Sequence, residues 1–133
     1  GDCGQVTLLF LTLCRSVGIP AHFQSGFMLH PGDENLHDWG EIYIQNLGWV
    51  PVDMSFGIPA YAQNEKETFF FLGGIDSFRM VVNNDFGCPL YPAKQYPRSE
   101  TVDFQRGEVE WQGGNLYFDK WKWNIEVLER TDL

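Results

Sequence analysis

Sustained helical periodicity occurs once in this sequence, at its start, and strand-like patterns follow it. From Cys3 to Val17 apolar residues fall at Val6, Leu9, Phe10, Leu13, Cys14 and Val17, the spacing of one helix face. Leu8 and Leu11 fill much of the remaining circumference, so the helix is expected to be central and buried. Asp2 is the expected N-cap, which places Cys3 at the first helical position. Gly18-Ile19-Pro20 is a helix stop, with Gly18 at C′ and proline just beyond.

Ala21 to Leu29 reads as a strand, His30 to Leu36 as an acidic loop around Pro31-Gly32, and His37 to Gln45 as a second strand. In that strand Ile42 and Ile44 share one face, while Trp39, Glu41 and Tyr43 share the other. Asn46-Leu47-Gly48 is turn chemistry, and Trp49 to Asp53 returns as a strand whose Pro51 suggests an edge or a bulge. The pattern weakens beyond Ser55. It resumes as a strand over Phe78 to Asn83, closed by Asn83 to Gly87, and Pro89 to Arg98 is Pro-rich and irregular. Glu108 to Gln112 and Leu116 to Phe118 read as a hairpin around Gly113-Gly114-Asn115. Trp121, Trp123, Ile125 and Val127 alternate with Lys122, Asn124 and Glu126, which predicts a half-buried last strand. One helix followed by strands is an α+β order with an antiparallel sheet, and 133 residues suit a single domain over 1–133.

Charge narrows the partners. Eighteen acidic against nine basic residues leave −9, the wrong sign for holding a phosphate backbone, so nucleic acid is not an expected partner. Unbroken apolar runs such as Phe69 to Leu72 are far too short to cross a bilayer. Three cysteines do not make a disulfide scaffold, and neither CxxC nor zinc-finger spacing is present. The chain starts abruptly at Gly1-Asp2-Cys3, as a piece of a longer protein would.

Cys3 is the first candidate for chemistry. A thiol at a helix N-terminus faces free backbone N–H groups and the positive end of the helix dipole, which favour thiolate; the neighbouring Asp2 opposes it. His37 and Asp53 stand at opposite ends of the expected hairpin. A two-residue loop at Gln45-Asn46 sets them nearly opposite each other. A three-residue loop at Asn46 to Gly48 separates them by about 13 Å along the strands, unless a bulge closes the gap. If they meet, Asp53 can hold one imidazole nitrogen while the other faces a thiol.

Gly1-Asp2-Cys3-Gly4, with Leu13-Cys14-Arg15-Ser16-Val17-Gly18-Ile19-Pro20-Ala21 behind it, resembles the nucleophile helix of the transglutaminase-like superfamily. His37-Asp38-Trp39-Gly40-Glu41-Ile42-Tyr43-Ile44 resembles its histidine strand, and Gly48-Trp49-Val50-Pro51-Val52-Asp53-Met54-Ser55 its aspartate strand. Three blocks in the right order over residues 1–55 are a specific signal. The resemblance, closest to bacterial members, implies a papain-like α+β core, a catalytic Cys3-His37-Asp53 set and a β-rich extension over 56–133. It also implies that an upstream part of the domain, with helices that shape the cleft, is missing from this chain. His22 stands where family members usually carry arginine.

The chemistry so implied is attack of Cys3 on an amide carbonyl of a protein or peptide, with a thioester intermediate resolved by water or by an amine. Without a calcium site the reading leans to hydrolysis. A non-catalytic module binding a protein or glycan is the alternative; a metal site built from Cys3, His37 and Asp53 lacks a spacing signature. No cofactor and no metal are expected. Trp39 and Trp49 can wall a substrate cleft. His30 is expected on a surface loop, Cys14 in the core and Cys88 in a loop, with Asp33, Glu34 and Asp38 a solvated acidic group. A secreted or periplasmic home is implied by the resemblance alone.

Overall fold

The computed structural model describes residues 2–56 and 65–131. Helix α1 spans Cys3–Ser16. Asp2 caps it, its Oδ1 accepting from the Gln5 N–H at 2.9 Å. At the other end Gly18 takes φ 81°. There its N–H donates to Arg15 O and the Ile19 N–H to Cys14 O, the paired bonds of a Schellman stop. Strands β1 (Ala21–His30), β2 (Asp33–Ile44) and β3 (Gly48–Val52), helix α2 (Glu65–Phe70) and strand β4 (Arg79–Asn84) follow. The four strands form one antiparallel sheet in the order β3-β2-β1-β4. Pro51 therefore sits on an edge strand, where a missing N–H is tolerated.

The fold is α+β, as the order of elements required. The helix, however, is not buried all round. Gly4, Thr7, Leu11 and Cys14 face the sheet, while Leu9, Leu13 and Val17 are exposed. Apolar count pointed to the wrong face; small residues decide it, because they let the helix approach closely. Gly40 of β2 has no side chain, and a Cβ there would come within 2.8 Å of Leu11 Cδ2. Leu11, Cys14, Ala21 and Phe23 form the core of this layer, with Leu8, Phe10, Ile42 and Val102 around it.

The expected loop over His30 to Leu36 shrinks to a turn at Pro31-Gly32. His30 pairs with Asp33, Leu29 with Glu34 and Met28 with Asn35. Proline followed by a glycine at φ 82° reverses the chain in two residues, so the acidic stretch is strand.

The C-terminal part is less β-rich than expected. Beyond β4 its described strands are β5 (Val109–Trp111) and β6 (Gly114–Leu116), a hairpin that turns at Gln112-Gly113. The predicted last strand over Trp121 to Val127 is not one. Among the described residues the chain there has no ladder partner, and it reaches back to the β1–β2 hairpin, where Arg130 Nη2 donates to Leu29 O of β1 at 3.2 Å and to Glu34 Oε1 of β2 at 2.6 Å. Alternation recorded an extended chain in which Trp121, Ile125 and Val127 are partly buried while Trp123 is exposed, which does not require a sheet. Among the described residues no helix is long and apolar enough to cross a membrane.

Candidate active site

On a strand, neighbours point to opposite faces, and this alternation organises the site. Asp38, Gly40 and Ile42 of β2 face α1; His37 and Trp39 face away from it. The hairpin to β3 turns through Gln45-Asn46-Leu47, with Asn46 at φ 71° and Ile44 paired with Gly48. This register lies between the two loop alternatives. Val52 pairs with Gly40, so Asp53 comes level with Trp39, two residues from the position opposite His37 and on the same face. Diagonal neighbours on one face lie within reach of a long side chain. His37 Nε2 and Asp53 Oδ2 are 2.7 Å apart, with both side chains buried. Asp53 Oδ1 accepts from the Ser55 N–H at 3.0 Å and the Phe56 N–H at 3.4 Å, and the Asp53 N–H donates to Phe71 O. The imidazole stacks on Trp39 at 6.0 Å between centroids and meets Phe56 edge-on.

Cys3 lies on the helix side of the sheet. Its Sγ donates to Asp38 Oδ2 at 3.3 Å, and Gln105 Nε2 donates to Asp38 Oδ1 at 3.1 Å. Asp38 is 2 % exposed, and Gly4 is what admits its carboxylate, since a Cβ there would stand 2.9 Å from Oδ2. Burial, and then the Asp38 carboxylate, push the Cys3 thiol up to about 12. These outweigh the helix end that favoured thiolate in the sequence. Burial likewise raises the Asp38 carboxyl, against the Cys3 and Gln105 hydrogen bonds. A cavity of about 160 Å³ opens here, lined by Cys3, Asp38, Asp103, Gln105 and Arg106 among others. Burial, with Asp38 and Glu100 nearby, raises Asp103 to about 6.

The structure therefore brings His37 and Asp53 together and joins Cys3 to Asp38. Among the described residues no hydrogen bond links Cys3 to His37. Trp39 is fully buried, donating from Nε1 to Gln24 Oε1 at 2.8 Å, so it supports the imidazole from within. Trp49 is half-exposed and lies 4.3 Å from the His22 ring. His30 ends β1, and its Nε2 meets Asp76 Oδ2 at 3.2 Å. Cys14 is buried and Cys88 exposed, as expected. Glu34 pairs with Arg130 while Asp38 turns inward to Cys3, so the acidic residues do not converge. Among the described residues no group of three or more His, Cys, Asp or Glu side chains could hold a metal ion.

Three site residues escaped the sequence reading. Asp38 was legible as the neighbour of His37 whose side chain must point the other way. Arg79, whose Nη1 lies 3.0 Å from Asp53 Oδ2, carried a weak signal, a lone cation in an apolar strand. Gln105 carried none.

Residues 1–54 match the model of the transglutaminase-like superfamily. The match takes in Cys3, His37 and Asp53 and ends before Arg79 and Gln105. The match suggests cysteine-dependent acyl chemistry at the level of the superfamily. No curated protein and no solved structure matches the chain.

Proposed function

We propose that this transglutaminase-like chain cleaves an amide of a protein or peptide through a Cys3 thioester, in a papain-like arrangement with His37 and Asp53. The supporting observation is the buried His37–Asp53 pair at 2.7 Å. Using Nε2 on Asp53 leaves Nδ1 as the ring's base, and Asp53 fixes that tautomer. In the reaction the Cys3 side chain must turn from Asp38, on the helix face, toward His37 Nδ1, and it passes its proton there as sulfur bonds to the carbonyl carbon. The C–N bond then breaks, and the imidazolium protonates the departing amine. Water attacking the thioester gives the acid and restores the thiol; an amine gives the transamidated product. Hydrolysis is the favoured outcome.

The test is ammonia release from a glutamine-containing peptide and turnover of a casein substrate. Cys3→Ala is expected to abolish both while leaving the fold intact, and His37→Ala to cost about 10² or more in rate. Unchanged turnover in Cys3→Ala would overturn the mechanism. The second reading, a transglutaminase-like module that binds a protein or glycan without turnover, draws on the Cys3 thiol being pushed up to about 12, which leaves sulfur a poor nucleophile at rest.

A further inference from the structure

We infer that Arg79 is the positioning residue of the His37–Asp53 pair: it compensates and orients the Asp53 carboxylate without taking the directed hydrogen bond that Asp53 makes with the imidazole. Its purpose rests on the acyl-transfer reading above, but the geometry stands without it. Arg79 is the first residue of β4 and pairs with Met28 of β1, which aims it at the sheet face carrying His37. Its side chain is 1 % exposed. Nη1 lies 3.0 Å from Asp53 Oδ2, and Nε lies 3.4 Å from Asp76 Oδ2. The guanidinium carbon stands 4.5 Å over the Phe56 ring, with Phe71 and Trp39 at 5.7 and 5.8 Å.

Two features separate this contact from an ordinary ion pair. Among the described residues neither Nη1 nor Nη2 has an aligned hydrogen bond. At 3.0 Å the Nη1–Oδ2 attraction is therefore mainly charge on charge, and the aligned donors on Asp53 are His37, Ser55 and Phe56. Second, placing a guanidinium among Phe56, Phe71 and Trp39 carries a large desolvation cost, which an apolar side chain of similar size would avoid. The cation's effect falls on Asp53. With Arg79 in place the buried Asp53 carboxylate faces a cation on one side and the imidazole on the other, which holds it in the orientation that meets the ring.

The ionisable side chains around the ring form a continuous series of contacts. His30 meets Asp76, Asp76 meets Arg79, Arg79 meets Asp53, and Asp53 meets His37. Asp38 adds one more charge from the other face of β2. Arg79 lies outside the segment that matches the superfamily, so the part beyond residue 54 contributes to the site.

The experiment is a ¹H–¹⁵N spectrum of histidine-labelled protein that follows the His37 ring N–H in its bond to Asp53, together with iodoacetamide labelling of Cys3. Arg79→Gln is expected to speed exchange of that proton with water about tenfold or more, the scale of one charged hydrogen bond. Arg79→Lys is expected to retain the resonance, because the charge remains. Wild-type exchange in a folded Arg79→Gln protein overturns the inference. Should Arg79→Gln not fold, Arg79→Lys decides alone: a retained resonance supports the role, and a lost one in a folded protein overturns it. The two readings fail separately, since Cys3→Ala with full turnover removes the acyl mechanism and leaves the spectroscopic result standing.

Discussion

Cys3 and Asp38 oppose each other chemically while being bonded to each other. The nucleophile of an acyl transfer is thiolate, and a buried carboxylate at 3.3 Å is the neighbour least favourable to it. Asp38→Asn removes the charge and leaves the burial, so Cys3 should fall below about 12 and label faster with iodoacetamide at pH 8. Each unit of fall gives about tenfold more thiolate in this range, and about tenfold faster labelling is the expected result. Peptide mass spectrometry reads it, with exposed Cys88 in the same digest as the reference; an unchanged ratio of the two rates contradicts the account. Asp103 makes a separate prediction about stability. Its carboxyl rises from its ordinary 3.8 to about 6, so the folded chain holds that proton more tightly than the unfolded chain does. The associated stabilisation is complete below about 4 and is lost as pH rises through about 6. Asp103→Asn should therefore melt a few degrees above wild type at pH 7.5, with the gap closing near pH 4. A gap that widens on acidification refutes it.

Among the elements, the central strands are held by residues with no side chain to lose. A Cβ on Gly26 of β1 would fall on the Met80 carbonyl of β4 and meet the Trp39 ring edge at 3.1 Å. Backbone cannot yield as a flexible side chain can. Gly26→Ala should thus cost about 3 kcal/mol in chemical denaturation, and should move Arg79 away from Asp53 as β4 shifts. A loss below about 0.5 kcal/mol would show that β1 and β4 are more loosely joined than the register implies. Such close approaches explain which parts of the fold were legible. Helix α1, its Asp2 cap, its Gly18 stop and the β2–β3 hairpin follow from local rules, and the sequence contained them. The buried face of α1 depends on Gly40 across the layer, and the reach from His37 to Asp53 on a turn of three residues between the two expected registers. Neither is a local property. The tail over Trp121 to Val127 shows the converse, a strand-like alternation with no partner among the described residues to make it a strand.

In the molecule as a whole, the segment that matches the superfamily does not complete its own site. Each face of β2 receives a side chain from beyond residue 54. Gln105, in the 3₁₀ turn Phe104–Arg106, holds Asp38 on the helix face. Arg79 and the Phe71 carbonyl hold Asp53 on the other. Strand β1, the neighbour of β2, also takes β4 from this later part, so an isolated 2–56 piece would expose one flank of β1 and leave Asp53 buried without its cation or open to water. The cost is cooperative, since the sheet edge, Val102 packed against the core and both carboxylate anchors leave together. A chain ending at residue 56 is therefore expected to show no dispersed amide spectrum and no cooperative melt. Adding the 65–131 portion as a separate chain should restore dispersion only through the β1–β4 pairing. If the short chain alone gave a dispersed spectrum and a sharp melt, the later residues would be an appendage, and the roles given to Arg79 and Gln105 would have to be explained without a fold that depends on them.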